Sequence, residues 1–357
     1  MSCAIEMSKA GHDVHLVDID ADWKSYGAGI TIQAPTFRAL RQVGVADEVE
    51  AAGFSCRGAR IRLADGTFLG ESLTPALEPG LPDGGGILRP LLHGILARKT
   101  RAVGTRVDLG VTFSSIENTA REATVHFTNG DMGRYDLIVG ADGINSKVRT
   151  LIFPNCSKPR FTGQGSFRTL APRPAGLDML EVYLGNQIKA GVTPISQEQL
   201  YMFTLCPEPS DEFFTPERQL CRLRDVLRDF AGLIGEIRDA LGPESHIVYR
   251  PLQALLVQKP WHSGRIILIG DAVHATTPHL ASGAGAAIED GILLSHYVSI
   301  SASIAEALHD FTERRFDRCR DVVESSVRLG ELELAGASGE EHGRIYGEAL
   351  ARLAVAP

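Results

Sequence analysis

Gly264-Arg-Ile-Ile-Leu-Ile-Gly-Asp-Ala-Val-His-Ala-Thr-Thr-Pro-His-Leu-Ala-Ser-Gly-Ala-Gly-Ala-Ala-Ile-Glu-Asp290 decides the fold. Ile266 to Ile269 reads as a short buried strand. A Gly-Asp turn follows, then a loop carrying Pro278, a glycine-rich bend and a helix. That order delivers one carboxylate, Asp271, and a row of free backbone N–H groups to the carboxyl end of a buried strand. Open α/β sheets bind ligands at that end, and a helix N-terminus there favours negative charge. A phosphate-bearing cofactor whose ring gains an electron pair suits such a place, a flavin being the plainest case.

Working outward, residues 2 to 10 carry a helical pattern that stops at Gly11, a residue suited to the C-terminal cap. Val14 to Val17 predicts a strand closed by Asp18. In a dinucleotide fold, a carboxylate there hydrogen-bonds the adenosine ribose about 20 residues beyond a Gly-x-Gly-x-x-Gly loop. Counting back about 20 positions from Asp18 passes Met1, so that first strand and its loop fall outside these 357 residues. Neighbouring strands lose a ladder without it, at about 1–3 kcal/mol for each buried unpaired backbone group. Two expectations stand together: an upstream start that yields a longer protein, or a shortened copy that binds flavin poorly.

Ala34 to Val43 has helical spacing, and Arg60 to Leu69 predicts a hairpin about Asp65-Gly66. Leu77 to Gly86 reads as a loop and Leu91 to Val103 as a helix. Strands flank an Asn129-Gly130 turn and lead into Leu137 to Val139. Residues 160 to 206 are strand-like, Arg222 to Leu241 helical, and His246 to Val257 a returning strand. Gly291 to Glu333 predicts long helices with Arg314, Arg315, Arg318 and Arg320 on exposed faces. The fold class is therefore α/β: a discontinuous Rossmann-like cofactor domain (1–155 and 258–330), an inserted, mostly β substrate domain (156–257), and a loosely attached helical tail (331–357).

With 44% hydrophobic residues the chain can bury a large core. A net charge of −8 opposes a nucleic-acid or anionic-membrane partner. No apolar run approaches the roughly 18–20 residues of a membrane span, and residues 1–30 lack the basic-then-apolar pattern of a signal peptide. Cys3, Cys56, Cys156, Cys206, Cys221 and Cys319 show neither C-x-x-C nor metal-site spacing, the expectation for reduced thiols in the cytoplasm.

Four separated segments now converge. Gly264–Asp290, Asp136-Leu-Ile-Val-Gly-Ala-Asp-Gly-Ile-Asn-Ser-Lys-Val-Arg149, Ile87-Leu-Arg-Pro-Leu-Leu-His93 and Gly27-Ala-Gly-Ile30 occur in order. They are similar to the second flavin motif, the Asp-Gly motif, the Arg-x-x-Leu-His segment and the loop after the second strand of the group A flavoprotein monooxygenases, the p-hydroxybenzoate and salicylate hydroxylase family. The resemblance implies FAD as cofactor, NAD(P)H as co-substrate, molecular oxygen, a small aromatic substrate hydroxylated through a flavin peroxide, and leaves a homodimer open. A related reductase or a flavin-free binding module are the alternatives. The halogenase branch carries Trp-x-Trp-x-x-Pro, whereas Trp23 and Trp261 stand far apart.

By that resemblance Asp18 binds the ribose, Arg89 the diphosphate or ribityl side, and Phe113 lies at the adenine. Asp142 and Gly143 serve flavin and NAD(P)H, and Gly270 and Asp271 meet the ribityl chain. Pro278 lies beside the ring, while Gly283, Ala284 and Gly285 bring N–H groups to its N1 and C2 carbonyl. Glycine permits that approach because it has no Cβ. Ala281 departs from the family, which often has Gly there. Tyr201, on a substrate-domain strand, and His279, beside Pro278, are the catalytic candidates. Each has a plain alternative: a sheet tyrosine, a loop filler, a turn Asp-Gly, a solvated arginine, a core phenylalanine. Thr31 stands where a relative carries His, and His274 reads as structural. No metal-ligand grouping is expected.

Overall fold

The computed structural model describes residues 1–357 except 26, 75, 120 and 338. The chain opens with α1 (Ser2–Lys9), β1 (His15–Asp18), β2 (Gly29–Gln33), α2 (Ala34–Val43) and α3 (Ala46–Ala52). Next come β3 (Phe54–Ser55), β4 (Gly58–Leu63), β5 (Phe68–Leu73), β6 (Gly84–Leu88) and α4 (Arg89–Ala102). β7 (Arg106–Leu109) precedes the meander β8 (Phe113–Asn118), β9 (Ala123–Phe127) and β10 (Met132–Tyr135), then β11 (Ile138–Gly140) and α5 (Lys147–Ile152). β12 (Arg160–Pro172), β13 (Leu180–Leu184), β14 (Lys189–Pro194) and β15 (Gln199–Pro207) follow, with α6 (Pro216–Val226), α7 (Gly232–Ala240) and β16 (Val248–Ala254). The chain closes with β17 (His262–Ser263), β18 (Ile266–Leu268), α8 (Asp271–His274), α9 (Gly283–Ile300), α10 (Ile304–Ala335) and α11 (Gly339–Ala354).

Parallel pairing joins β1 to β7 and β11 to β18, as an open α/β sheet requires. Among the described residues no ladder links these two pairs. The core beneath β11 and β18 gathers Trp261, Phe311 and Phe316 with Ile266, Ile267 and Leu268. A second core, built by Ile5, Phe37, Leu40, Val43, Ile95 and Ile288, packs α1, α2, α4 and α9 together. Gly44, at φ +80°, ends α2 in the left-handed conformation that glycine adopts without strain.

The inserted sheet has the order β16-β12-β15-β14-β13-β4-β5. Alternation assigns its two faces. Phe167, Leu200, Met202 and Val192 turn toward α6 and α7, while Leu170, Tyr201 and Phe203 turn toward the cofactor domain. The hairpin within residues 1–155 belongs to this sheet, because β4 pairs in parallel with β13 from Ala59↔Leu180 to Leu63↔Leu184.

Three expectations need correction. Arg222–Leu241 is two helices, α6 and α7. Arg238, whose Nη1 donates to the carbonyls of Leu227, Arg228 and Phe230, holds the break. Arg315 is fully buried rather than exposed, because an acidic pair on α9 faces it. The tail is docked: Arg38 and Arg318 donate to the carbonyls of Leu353, Ala354 and Val355, and Ala349 and Leu353 are buried.

Candidate active site

The turn after β18 is clamped from beneath. Gly270, at φ +60° and ψ −143°, donates its N–H to Asp290 Oδ2 at 2.8 Å. The same oxygen meets His274 Nε2 at 2.6 Å, and Oδ1 accepts from Arg315 Nε at 2.7 Å. Arg315 also donates to Glu289 Oε2 and to the Ala286 carbonyl, and Arg318 grips Glu289 with two nitrogens. Burial works against every charge here, yet His274 and Arg315 outweigh it and hold the Asp290 carboxyl well below the ordinary range. Burial likewise opposes the His274 imidazolium, but Cys319 and Asp290 outweigh it and raise its pKa well above normal. The ligand atoms of His274, Asp290 and Cys319 lie within 4.8 Å of one another. Spacing in the sequence could not reveal that grouping. A guanidinium already on Asp290 repels a cation, so the trio serves as an anchor for the turn.

Above this anchor, Asp271 opens α8 with a side chain that solvent reaches. Burial raises its pKa, against the pull of His274 and Arg89. Pro278–Leu280 forms one tight turn, and Ala281 follows at φ +49°, in the left-handed region. That conformation is the physical reason a glycine suits this position. α9 then starts at Gly283 with no side-chain cap, leaving the first N–H groups of Gly283, Ala284 and Gly285 uncapped by side chains. Gly285 presses on α2: a Cβ there would stand 2.2 Å from Thr36 Oγ1.

Arg89 begins α4, its backbone N–H donating to the Ala28 carbonyl. Its Nε is buried with no acceptor. Burial, then the charge of Arg168, depresses its pKa, while Tyr201 and Asp271 act the other way. A buried guanidinium nitrogen without an acceptor is costly, so the site fits a phosphate-bearing or anionic group. The Met1 amine is lowered in pKa by burial, with Cys3 and Asp18 opposing. Asp18 Oδ1 accepts from Asp20 N–H at 2.9 Å, and its charge also reaches His93 on α4.

The remaining predicted residues divide. Asp142 is committed to α5: its oxygens accept from Ser146 Oγ and from the N–H groups of Lys147 and Val148. Gly143 follows at φ +78°. Phe113 packs its ring into the core beneath β11 and β18. Tyr201 is buried, lies 5.8 Å ring to ring from Phe203, and rests on Gly29, where a Cβ would come within 2.5 Å of its own. Thr31 Oγ1 meets Thr193 Oγ1 at 3.0 Å. His279 is turned into a buried cluster rather than toward an open cavity. Its Nδ1 faces Thr277 Oγ1 at 2.9 Å, and its Nε2 faces Glu333 Oε2 at 3.2 Å. Burial, the largest influence, lowers the His279 pKa. Glu333 also takes Lys189 Nζ, His342 Nε2 and Gln164 Nε2. Lys189, Glu333 and Gln164 come from three distant segments, and residue spacing did not single them out.

A clamped Gly-Asp turn after a buried strand, an uncapped helix N-terminus and an arginine on which Asp271 acts electrostatically suit a flavin cofactor, and comparison with known proteins agrees. The FAD binding domain family matches residues 1–326, and the chain belongs to it. It is 30% identical to YetM of Bacillus subtilis (strain 168), over 99% of this chain and 95% of that one. It is also 30% identical to the 2-heptyl-3-hydroxy-4(1H)-quinolone synthase of Pseudomonas aeruginosa, covering 93% and 86%. A structure of HpxO from Klebsiella pneumoniae with FAD and uric acid shares the fold at a TM-score of 0.83 and 23% identity, covering 99% and 91%. The chain is an FAD-dependent monooxygenase of the p-hydroxybenzoate hydroxylase type.

Proposed function

We propose that this protein uses FAD, NAD(P)H and dioxygen to hydroxylate a small aromatic compound held between β12–β15 and the Gly270–Gly285 segment. The carrying observation is the clamped Gly270-Asp271 turn, followed in the chain by the uncapped start of α9 and placed so that Asp271 acts on Arg89, whose Nε has no acceptor. The relatives support the aromatic reading by their names, a quinolone synthase and a urate hydroxylase.

In this reading Asp271 accepts hydrogen bonds from the ribityl chain, Asp18 from the ribose, and Arg89 pairs with the diphosphate. Pro278 packs beside the ring. The N–H groups of Gly283, Ala284 and Gly285, with the positive end of α9 behind them, stabilise negative charge at N1 and the C2 carbonyl. Bound FAD supplies the redox and oxygen-transfer chemistry. Asp142 and Gly143 shape the nearby loop through the cap on α5, and Phe113 supports it from the core. Tyr201 closes the substrate side, excludes water and offers its hydroxyl as an orienting group. His279, both nitrogens occupied, holds the 277–281 loop rather than moving a substrate proton.

The test is oxygen uptake by the FAD-loaded protein with NADH or NADPH and a panel of phenols and heteroaromatics. Substrate-stimulated uptake with a hydroxylated product is expected. Absence of a flavin absorbance band after incubation with FAD, with no uptake, overturns the reading.

A further inference from the structure

Glu333, near the end of α10, is met from four segments at once. Its Oε2 accepts from Gln164 Nε2 of β12 and faces His279 Nε2, each at 3.2 Å. Its Oε1 accepts from Lys189 Nζ of β14 and faces His342 Nε2 of α11 at 3.1 Å. Burial opposes the charge on Glu333, but Lys189, then His279 and His342, outweigh it and keep the carboxylate ionised. An ionised carboxylate only accepts, so His279 donates through Nε2, and its Nδ1 accepts from the Thr277 hydroxyl at 2.9 Å. The His279 side chain is fully enclosed. Gly330, one turn earlier on α10, leaves room for this meeting. A Cβ there would stand 2.6 Å from Gln164 Oε1 and 3.0 Å from His279 Cε1. Leu280, the end of the Pro278–Leu280 turn, packs on Leu329 of α10 and Ala349 of α11.

These partners come from the two walls of the chamber assigned to the substrate. His279 adjoins Pro278 on the ring side. Lys189 and Gln164 belong to the inserted sheet. β14 and β15 pair Lys189↔Leu205, Gly191↔Phe203 and Thr193↔Tyr201. Lys189 therefore shares the face that carries Phe203 and Tyr201 toward the cofactor domain. An enclosed ion pair is often no more stable than apolar packing of the same volume, so stability alone does not account for a glutamate here. What the carboxylate adds is geometry, because hydrogen bonds weaken steeply away from their preferred lengths and angles.

We propose that Glu333 is a positioning residue: acting through His279 on one wall and Lys189 on the other, it sets the separation between the Pro278–Leu280 turn and the substrate-facing side of β14–β15. This inference rests on the aromatic-hydroxylase reading and deepens it. The tie fixes how closely the ring of the substrate lies to the flavin. When it is intact, one ring C–H, O2, NAD(P)H and a proton give C–OH, NAD(P)+ and water. When it is loosened, the ring stands too far away, and O2 takes the two electrons of NAD(P)H with two protons to leave as hydrogen peroxide.

The experiment uses the FAD-loaded full chain, well below the melting transition of every variant. It measures hydroxylated product per O2 consumed, hydrogen peroxide released, and hydrogen exchange of the amides in 277–282. In Glu333→Gln and Lys189→Met the product ratio should fall at least about fivefold, with peroxide making up the difference, since a misplacement of about 1 Å from a distant change can cost about 10²-fold. Lys189→Arg should recover most of the ratio, because a cation still reaches the carboxylate. His342→Gln releases only the α11 contact and should keep the ratio within about twofold of wild type. Exchange in 277–282 should quicken severalfold in Glu333→Gln. An unchanged ratio in Glu333→Gln overturns the proposal. So does a loss in Lys189→Met that Lys189→Arg does not recover, which makes Lys189 a substrate contact. An equal fall in His342→Gln also overturns it, because the effect is then loss of the tail. If the wild type hydroxylates no aromatic compound, the hydroxylase reading fails separately. Exchange still decides the tie in that case: quickened exchange in 277–282 keeps it and unchanged exchange overturns it.

Discussion

Replacing Asp290 by Asn tests the anchor beneath the flavin turn. The change keeps the shape of the side chain and removes one charge. Oδ2 receives both Gly270 N–H and the His274 ring, and Oδ1 receives Arg315 Nε. Whichever way an amide turns, its NH2 group meets at least one of these donors. Breaking a buried ion pair from one side costs about 3–5 kcal/mol. Unfolding entropy near 2.1 cal/mol/K per residue gives about 0.75 kcal/mol/K for the 357-residue chain. Melting should therefore fall by about 4–7 °C. The pH dependence has a definite sign. Because His274 is raised above its unfolded value, its contribution is complete below about pH 6.5 and fades as pH climbs through the folded pKa. Asp290 is depressed, so its share is present above about pH 4 and lost only in stronger acid. The gap between wild type and variant should be widest between about pH 4 and 6.5 and narrow toward alkaline pH. Differential scanning calorimetry across pH 4–9 reads both effects. A fall under about 1 °C, or a gap that widens with rising pH, refutes the argument.

Three further outcomes are expected. Ala281→Gly relieves a left-handed alanine worth about 1–2 kcal/mol, offset by about 0.4–1 kcal/mol of added chain entropy, so urea unfolding should show a net gain of up to about 1.6 kcal/mol. Glu333, held below its ordinary range by Lys189, His279 and His342 against burial, stabilises the fold above about pH 4.5 and loses that contribution as pH falls. Glu333→Gln should cost about 3 kcal/mol and speed hydrogen exchange in α11, where His342 lies; unchanged exchange would show that the contact does not hold the helix. Gly29→Ala drives a Cβ to within 2.5 Å of Tyr201 Cβ, so about 1–3 kcal/mol of stability and much of the oxygen uptake should be lost, with full uptake counting against Tyr201 as the wall of the substrate side.

What could be read in advance followed from local chemistry. The strand, turn and helix of 264–290 were legible because periodicity and glycine punctuation act over a few residues. Asp65-Gly66 announced its hairpin for the same reason. The hairpin's partner did not announce itself, since alternation tells a strand's faces and not the neighbour to which it bonds. The burial of Arg315 is not legible locally, because an arginine-rich helix normally shows such residues to water and its acids lie 25 and 26 positions away on α9. Asp142 carries a capping signal in Ser146 and the free N–H groups behind it, which a turn Asp-Gly does not display by itself. The Glu333 cluster was invisible because its members meet only once β12, β14, α10 and α11 have packed.

The pairing of β4 with β13 has a practical consequence for anyone reshaping the pocket. Because a ribbon from the amino-terminal third completes the inserted sheet, residues 156–257 are not a transplantable cassette. Cutting them out strands Phe68, Leu69 and Leu73 on an orphaned ribbon whose partner has gone, an invitation to aggregate. Grafting a relative's pocket onto this scaffold means exchanging two stretches at once, 58–73 together with 156–257, so that donor edge and acceptor edge arrive already matched.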